Sequence, residues 1–388
     1  MAEIAYEPCH DYEDVTVKTA VANLFSALGG VDRFVRPGQT VLIKANLVRD
    51  MPPEKAGTTH PQIVKEVAKQ CIAAGASVVV GDSSGGTYTR ASMNHVYHVT
   101  EMDRACEQSG AALNDDFTYE SVRTDGLVLK RLDVISAFLK ADVVINIAKL
   151  KTHSFAGYSG AVKNLFGLIP GLVKVEMHAK YLDLPTFCDV LLDIYEYAKP
   201  KIKLNIIDGV VGMEGDGPTN GKPRAIGKLI ASPNAYYADL AAASLICDPF
   251  EIPLFARAEA RGLIPKDYEA QSGFDFSLPR GDRIADYQTV KVLPTDFINN
   301  LPKFLRKLFR NQMSQKVYVK KGICKGCGKC ERHCPAKAIA VKKGRARLKQ
   351  SKCIRCYCCQ ELCPFDAVKF KKPIVYRIAR KLSNSRNR

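Results

Sequence analysis

Two cysteine runs constrain this 388-residue chain more than any other feature: Cys324-x2-Cys327-x2-Cys330-x3-Cys334-Pro335 and Cys353-x2-Cys356-x2-Cys359-x3-Cys363-Pro364. Nine of the fourteen cysteines fall between Cys324 and Cys363, and Cys9, Cys71, Cys106, Cys188 and Cys247 are scattered singly. Thiols clustered at regular spacing in an intracellular chain read as metal ligands rather than disulfides. An iron–sulfur cubane needs four thiolates around four irons. A tight loop supplies three from positions three apart, and a fourth starts the next turn, where proline redirects the chain. The competing reading is zinc, which prefers paired spacings totalling four ligands per ion. Tandem runs of this form do not match it. Cys358, between two ligand positions, reads as a bystander.

Residues 317–373 resemble the bacterial two-cluster ferredoxins, with strands expected at Val317–Lys320 and Ile339–Val341. In that class the fourth cysteine of each run serves the other cluster. The resemblance implies two 4Fe–4S clusters, one on Cys324, Cys327, Cys330 and Cys363 and one on Cys353, Cys356, Cys359 and Cys334. Such a pair relays single electrons.

Charge divides the chain at the same place. Residues 301–388 carry 26 Lys and Arg against three acids, and residues 1–300 carry 31 against 37, although the whole chain is +17. A basic tail of this kind attracts an acidic protein or an anionic membrane face. Nucleic acid is the least favoured partner, because no nucleic-acid module accompanies the basic residues. Residues 301–316 (LPKFLRKLFRNQMSQK) pattern as a basic amphipathic linker helix with Leu301, Phe304, Leu305, Leu308 and Phe309 on one face, and 374–388 as a basic tail. Packing that apolar face on the main domain is preferred to peripheral membrane contact. The N-terminus lacks a secretory signal, and no run is apolar enough to span a bilayer. The expectation is a soluble cytoplasmic protein.

Residues 1–300 alternate strand and helix patterns, which predicts an α/β domain with an open, mostly parallel sheet. Strands are expected at Thr40–Lys44, Ser77–Val80, Asp142–Ile147, Leu204–Ile207 and Lys228–Ala231, and helices at Gln62–Ala74 and Phe187–Ala198. Polar segments follow the strands: Asn46, Asp82–Gly86, Lys149–His153 and Asp208-Gly209. Ligands of open α/β sheets bind beyond the carboxyl ends of the strands. There Lys149, Lys151, His153 and Lys163 surround a Gly-rich turn suited to a carboxylate or phosphate, with His153 or His178 as proton donor and Lys151 stabilising negative charge. The blander alternatives are solvated lysines at a strand end, a histidine bonded to its own loop, and capping roles for Asp82 and Asp208. Glu214 and Asp216 are a candidate cation site or simply solvated.

LIKANLV (42–48), TTHP (58–61), VVVGDSSGG (78–86), KLKTHSFAGYSGAVKNLFGLIPG (149–171) and IIDGVVGMEGDGP (206–218) resemble the domain-of-unknown-function 362 family, over about residues 40–260. The segment from His153 through Gly157 and Gly160 to Lys163 is also similar to one in the nickel-pincer lactate racemases. It departs in Ala161 and Asn164. That resemblance implies a cofactor tethered to Lys163 and nickel bound by His178. Asp82, Gly157, Gly160 and Lys163 are the candidate cofactor-binding residues. Three readings follow. The leading one is an oxidoreductase that passes electrons from a carrier through the clusters to a small anionic or carbonyl substrate. The second is a non-catalytic electron carrier or adaptor. The third is a nickel-pincer hydride-transfer enzyme. In the leading reading the clusters reduce the substrate directly or through a second organic cofactor.

Overall fold

A computed structural model describes residues 3–290 and 315–371. These form two compact units, residues 3–174 with 185–290, and residues 175–184 with 315–371. The expected helix over 301–316 lies outside the described residues up to 314, and Lys316 already begins a strand. The tail expected over 374–388 also lies outside them.

The first unit is built on an eight-stranded sheet. Its strands are β1 (Ala5–Pro8), β2 (Thr40–Lys44), β3 (Ser77–Gly81), β4 (Ala112–Leu113), β7 (Val143–His153), β8 (Gly157–Ser159), β9 (Ile202–Glu214) and β10 (Lys222–Ser232). The order is β1-β10-β9-β7-β2-β3-β4, and β8 folds back on β7. From β9 to β4 every pairing is parallel, and β10 and β1 close one edge antiparallel. A separate hairpin joins β5 (Tyr119–Arg123) and β6 (Arg131–Ile135).

The parallel strands are near-continuous apolar runs because both faces are covered. Helix Pro61–Ala73 shows how one face is closed. Proline occupies its first turn, His60 caps it by accepting from the Gln62 amide, and Ile63, Val64, Val67 and Cys71 are buried. They join Val17, Val21 and Leu24 of helix Asp14–Ala27 over Val41, Ile43 and Ile145. Helix Ala235–Ser244 is buried at all ten positions, which explains its lack of a polar face.

Two strands overrun their sequence-based limits. Leu204–Ile207 extends to Glu214, and Asp142–Ile147 extends through His153. Lys149–His153 is therefore not a polar loop but the buried second half of β7. Solvated lysines at 149 and 151 are thereby overturned, since both are about 1% exposed. Pairing with β9 on one side, and with β8 beyond Lys151 on the other, supplies the hydrogen bonds that hold this polar stretch extended.

In the second unit β11 (Lys316–Val319) pairs with β14 (Val368–Lys371), and β12 (Ile339–Lys342) with β13 (Arg345–Leu348). Short helices Lys329–Arg332 and Cys358–Glu361 hold the third cysteine of each run. The backbone repeats at an offset of 29 residues. Left-handed conformations recur at Gly326 and Arg355, at Gly328 and Tyr357, and at Lys337 and Asp366. Only the first half uses glycine at the first two positions, so Arg355 and Tyr357 hold a conformation that disfavours bulky residues. The Tyr357 ring packs edge-on against Phe370, 4.9 Å between centroids.

Candidate functional site: a cysteine cavity and a buried lysine–carboxylate network

Cys334, Cys353, Cys356 and Cys359 line one cavity, with Cys358 also at its wall beside Ile339 and Leu348. A second neighbourhood gathers Cys324, Cys327, Cys330 and Cys363. Burial pushes the Cys330 thiol up to about 11, and Cys363, Cys327 and Cys324 add to the rise. Backbone amides already point at three sulfurs: Ala338 N to Cys334 (3.2 Å), Ala346 N to Cys324 (3.3 Å) and Ala367 N to Cys363 (3.3 Å). Cys358 donates its thiol to the Cys356 carbonyl at 3.6 Å.

No group of three or more His, Cys, Asp or Glu among the described residues converges so as to hold a single metal ion. A cubane makes a different demand, because its four thiolates bind four separate irons and must surround a space. Crowded buried thiols resist ionisation, and a cationic iron core with amide donors to sulfur offsets that resistance. The residues present therefore fit iron–sulfur clusters.

In the first unit the polar residues meet at the carboxyl halves of β2, β3, β7 and β9. Lys44 ends β2 and pairs with Asp82, which follows β3, at 2.7 Å. Asp82 also accepts from the amides of Leu47 (2.6 Å) and Ser83 (2.7 Å). One strand over, Lys149 pairs with Asp208 at 2.8 Å and donates to the Tyr12 hydroxyl at 2.7 Å. Tyr12 donates in turn to Asp208 at 2.9 Å. The His60 amide (3.0 Å) and the Val210 amide (3.3 Å) also donate to Asp208, and the His60 ring stacks on Tyr12 with centroids 3.5 Å apart. Burial depresses both Lys44 and Lys149 despite their carboxylate partners. It also lowers His60 to about 4.

An amide chain adjoins the first of these pairs, where Lys44 also donates to the Asn164 carbonyl at 3.1 Å. Lys44, Asn146, Asn205 and Ser232 are register neighbours across four strands. Asn146 donates to Asn205 at 2.8 Å, Asn164 to Asn146 at 2.8 Å, and Asn46 to Asn164 at 2.8 Å. Lys151 ends the chain, donating to Asn46 Oδ1 at 2.5 Å and to the Gly57 carbonyl at 2.6 Å. Sequence reasoning missed Lys44, Asn146, Asn164, Asn205 and Tyr12. The available signal was polar residues recurring inside apolar strands, in LIK, INI and LNI.

His153 Nδ1 accepts from the amides of Phe155 and Ala156, each at 3.1 Å. In the neutral ring the proton therefore sits on Nε2. Gly157, the first residue of β8, adopts φ +82° where the chain returns from β7. Gly160 precedes helix Ala161–Asn164, where a cradle for an external anion is expected. The structure puts its own carboxylate there. Asp239 accepts from Ala161 N (2.6 Å), Val162 N (2.9 Å) and the Tyr158 hydroxyl (3.0 Å). A Cβ at position 160 would stand 2.0 Å from Asp239 Oδ1, so this approach requires glycine. Lys163 lies on that helix with its ammonium 5.6 Å from the Phe166 ring centroid. His178 lies in residues 175–184, which cluster with the second unit. Asp208 does more than cap, being the acceptor for Lys149. Glu214 accepts from the Gln288 amide at 3.1 Å.

Burial raises Asp239 to about 7, against the lowering effect of its three donors. Between about pH 4 and 7 the folded state holds a proton there that the unfolded chain does not. Stability from this group is thus greatest below pH 4, falls as pH rises to about 7, and is flat above. Urea unfolding of wild type and Asp239→Asn at pH 5 and pH 8 checks this. The stability difference between them is expected to shift by about 2 kcal/mol in that direction, and a pH-independent difference refutes it.

An open α/β sheet joined to a cysteine-lined, ferredoxin-type unit defines the class: an iron–sulfur electron-transfer protein with a large companion domain. Residues 316–364 match the model of a 4Fe–4S dicluster domain, and the chain carries iron–sulfur clusters. Residues 41–244 match the domain of unknown function DUF362, and the chain belongs to that family. It is 33% identical over 304 residues to a thylakoid-associated protein of Synechocystis sp. (strain ATCC 27184 / PCC 6803 / Kazusa), covering 77% of this chain and 91% of the relative. The lactate racemase apoprotein of Thermoanaerobacterium thermosaccharolyticum aligns at 15% identity with a TM-score of 0.39, over 61% of this chain and 56% of the racemase. A Thermotoga maritima protein aligns at 14% identity with a TM-score of 0.34, over 62% of this chain and 61% of its own. The chain thus spans less than two thirds of either solved structure. Among the described residues no helix is long and apolar enough to cross a membrane.

Proposed function

We propose that the protein is a cytoplasmic iron–sulfur oxidoreductase with two 4Fe–4S clusters, one on Cys324, Cys327, Cys330 and Cys363 and one on Cys353, Cys356, Cys359 and Cys334. The observation that carries this reading is the cavity lined by Cys334 of the first run together with Cys353, Cys356 and Cys359 of the second, with Cys358, outside the run's spacing, also at its wall. When bound, such clusters supply one-electron steps and no chemistry on a carbon substrate themselves. The amides of Ala338, Ala346 and Ala367 orient the thiolates and stabilise added negative charge.

In this reading the α/β unit receives a small anionic or carbonyl substrate at the carboxyl end of the parallel strands. His153 holds the transferable proton at Nε2. Lys151, anchored through Asn46 and Gly57, and Lys163 supply positive charge. A specific observation favours the second reading, an electron carrier or adaptor. Asp82, Asp208, Asp239 and the four asparagines spend their hydrogen bonds on buried lysines and tyrosines, on one another and on backbone, which suits a domain built for rigidity as much as for turnover.

The test is anaerobic purification followed by iron and nickel analysis, reduction by dithionite, and intact-mass measurement. About eight irons per chain with reducible clusters supports the reading. A bound organic molecule that is consumed on reduction supports the enzyme, and clusters alone with no bound molecule support the carrier. Stoichiometric nickel with an adduct on Lys163 replaces both. Colourless, zinc-loaded protein overturns the electron-transfer reading itself.

A further inference from the structure

We infer that electrons enter or leave through the edge of the first cysteine group, at Cys327, and that an acidic electron-carrier protein docks on the basic collar around it. The inference rests on the two-cluster reading above and goes beyond it by naming the port and the partner's chemistry.

Cys327 is exposed, whereas its companions Cys330 and Cys363 are buried and Cys324 is half-buried. The glycines on either side of it, Gly326 and Gly328, put no side chains over it. Two basic segments meet there. Lys325, Lys329 and Arg332 come from the cysteine loop and the helix after it. Lys343 and Arg345 come from the β12–β13 turn. The loop and the turn touch through glycine: a Cβ on Gly326 would stand 2.3 Å from the Gly344 carbonyl oxygen, so the backbones lie in direct contact. The Ala346 amide, next to Arg345, reaches Cys324 Sγ at 3.3 Å and ties the turn to the same cysteines. Arg332 folds back to donate to the Cys327 carbonyl at 3.3 Å. All five cations are exposed, and Glu331 is the one acid within either segment.

Electron transfer between proteins needs a cofactor edge near the surface and a brief, oriented encounter. A collar of one sign steers an oppositely charged partner into that orientation and accelerates association. The two segments expose no apolar side chain that could insert into a bilayer. They coincide with the sulfur an electron would cross, which a generic anion-binding face need not do. The partner that fits is an acidic redox protein.

The test uses the full chain with its clusters and, as probe, a purified acidic two-cluster ferredoxin. Binding is followed by calorimetry on the oxidised proteins, and electron transfer by stopped flow. Binding is expected at low salt and is expected to weaken about tenfold or more as salt rises, since exposed charges are screened within about 10 Å at 0.1 M. Lys325→Glu with Lys329→Glu, and separately Lys343→Glu with Arg345→Glu, are each expected to weaken it about tenfold with iron content and visible absorption unchanged. A reversal of Lys369 and Lys371 on β14 is expected to change affinity less than twofold. Equal loss from all three pairs overturns the port, as does intact cluster-loaded protein that does not bind the ferredoxin. Binding to phosphatidylglycerol vesicles with the same sensitivity, and none to the ferredoxin, overturns the assigned partner. Failure to incorporate iron at all overturns the underlying two-cluster reading instead.

Discussion

Stripping iron under anaerobic conditions is expected to unfold residues 315–371 while the α/β unit keeps its melting transition. The small unit has little else to hold it. Its buried apolar residues are few and mostly small, chiefly Val317, Ile339, Ala346, Tyr357, Ala367 and Val368 among the described residues, with Val319, Val341 and Leu348 partly buried around them. Cores of this size do not offset the entropy of ordering a chain without a metal or crosslink. Residues 315–371 also carry many lysines and arginines against only Glu331, Glu361 and Asp366, which favours expansion once the cluster charge is gone. Metal affinity and folding free energy are then one quantity. Hydrogen exchange is the decisive measurement. Amides of β11 to β14 are expected to lose protection in the chelated protein, and those of β2, β7 and β9 to keep it. Unchanged protection in β11 to β14 would show that the unit folds without metal.

The second large effect is expected at Asp208. Replacing it with asparagine leaves Lys149, 1% exposed, without its carboxylate in the middle of the sheet. Breaking a buried pair from one side costs roughly 3–5 kcal/mol, because the surviving charge is stranded. The Tyr12 hydroxyl and the His60 amide also lose a charged acceptor. The double variant Lys149→Met with Asp208→Asn removes the stranded charge as well. It is expected to be more stable than Asp208→Asn alone, even though it carries one more change. Chemical denaturation of the three proteins measures this, and a double variant at least as unstable as the single one rules out charge burial as the cause.

Legibility in the sequence differed between the two units for a physical reason. The cysteine runs are local: spacing within one loop carries their meaning. Strands such as Thr40–Lys44 were legible for a similar reason, since a short β-branched run bounded by polar residues has few other fates. What escaped was long-range. Lys149, Lys151 and His153 look like a loop because isolated lysines favour water, and only the pairing of Lys149 with Asp208 and of Lys151 with Asn46 makes their burial tolerable. Asp239 lies nearly eighty residues beyond the helix whose amides it receives, and it fills the place where the sequence suggests an external anion. The asparagine row belongs to strands far apart in the chain and exists only once they are in register. The place of His178 shows the same limit, because a segment within the α/β sequence clusters with the other unit.

The 29-residue repeat in the small unit has a consequence for symmetry. The same path is traced twice, yet one copy runs bare through Gly326 and Gly328 while the other is roofed by Arg355 and by Tyr357 against Phe370. Doubling alone would yield interchangeable halves. Unequal cladding gives the module a face and a back, so a charge passing through it meets water on one side and packed aromatic rings on the other.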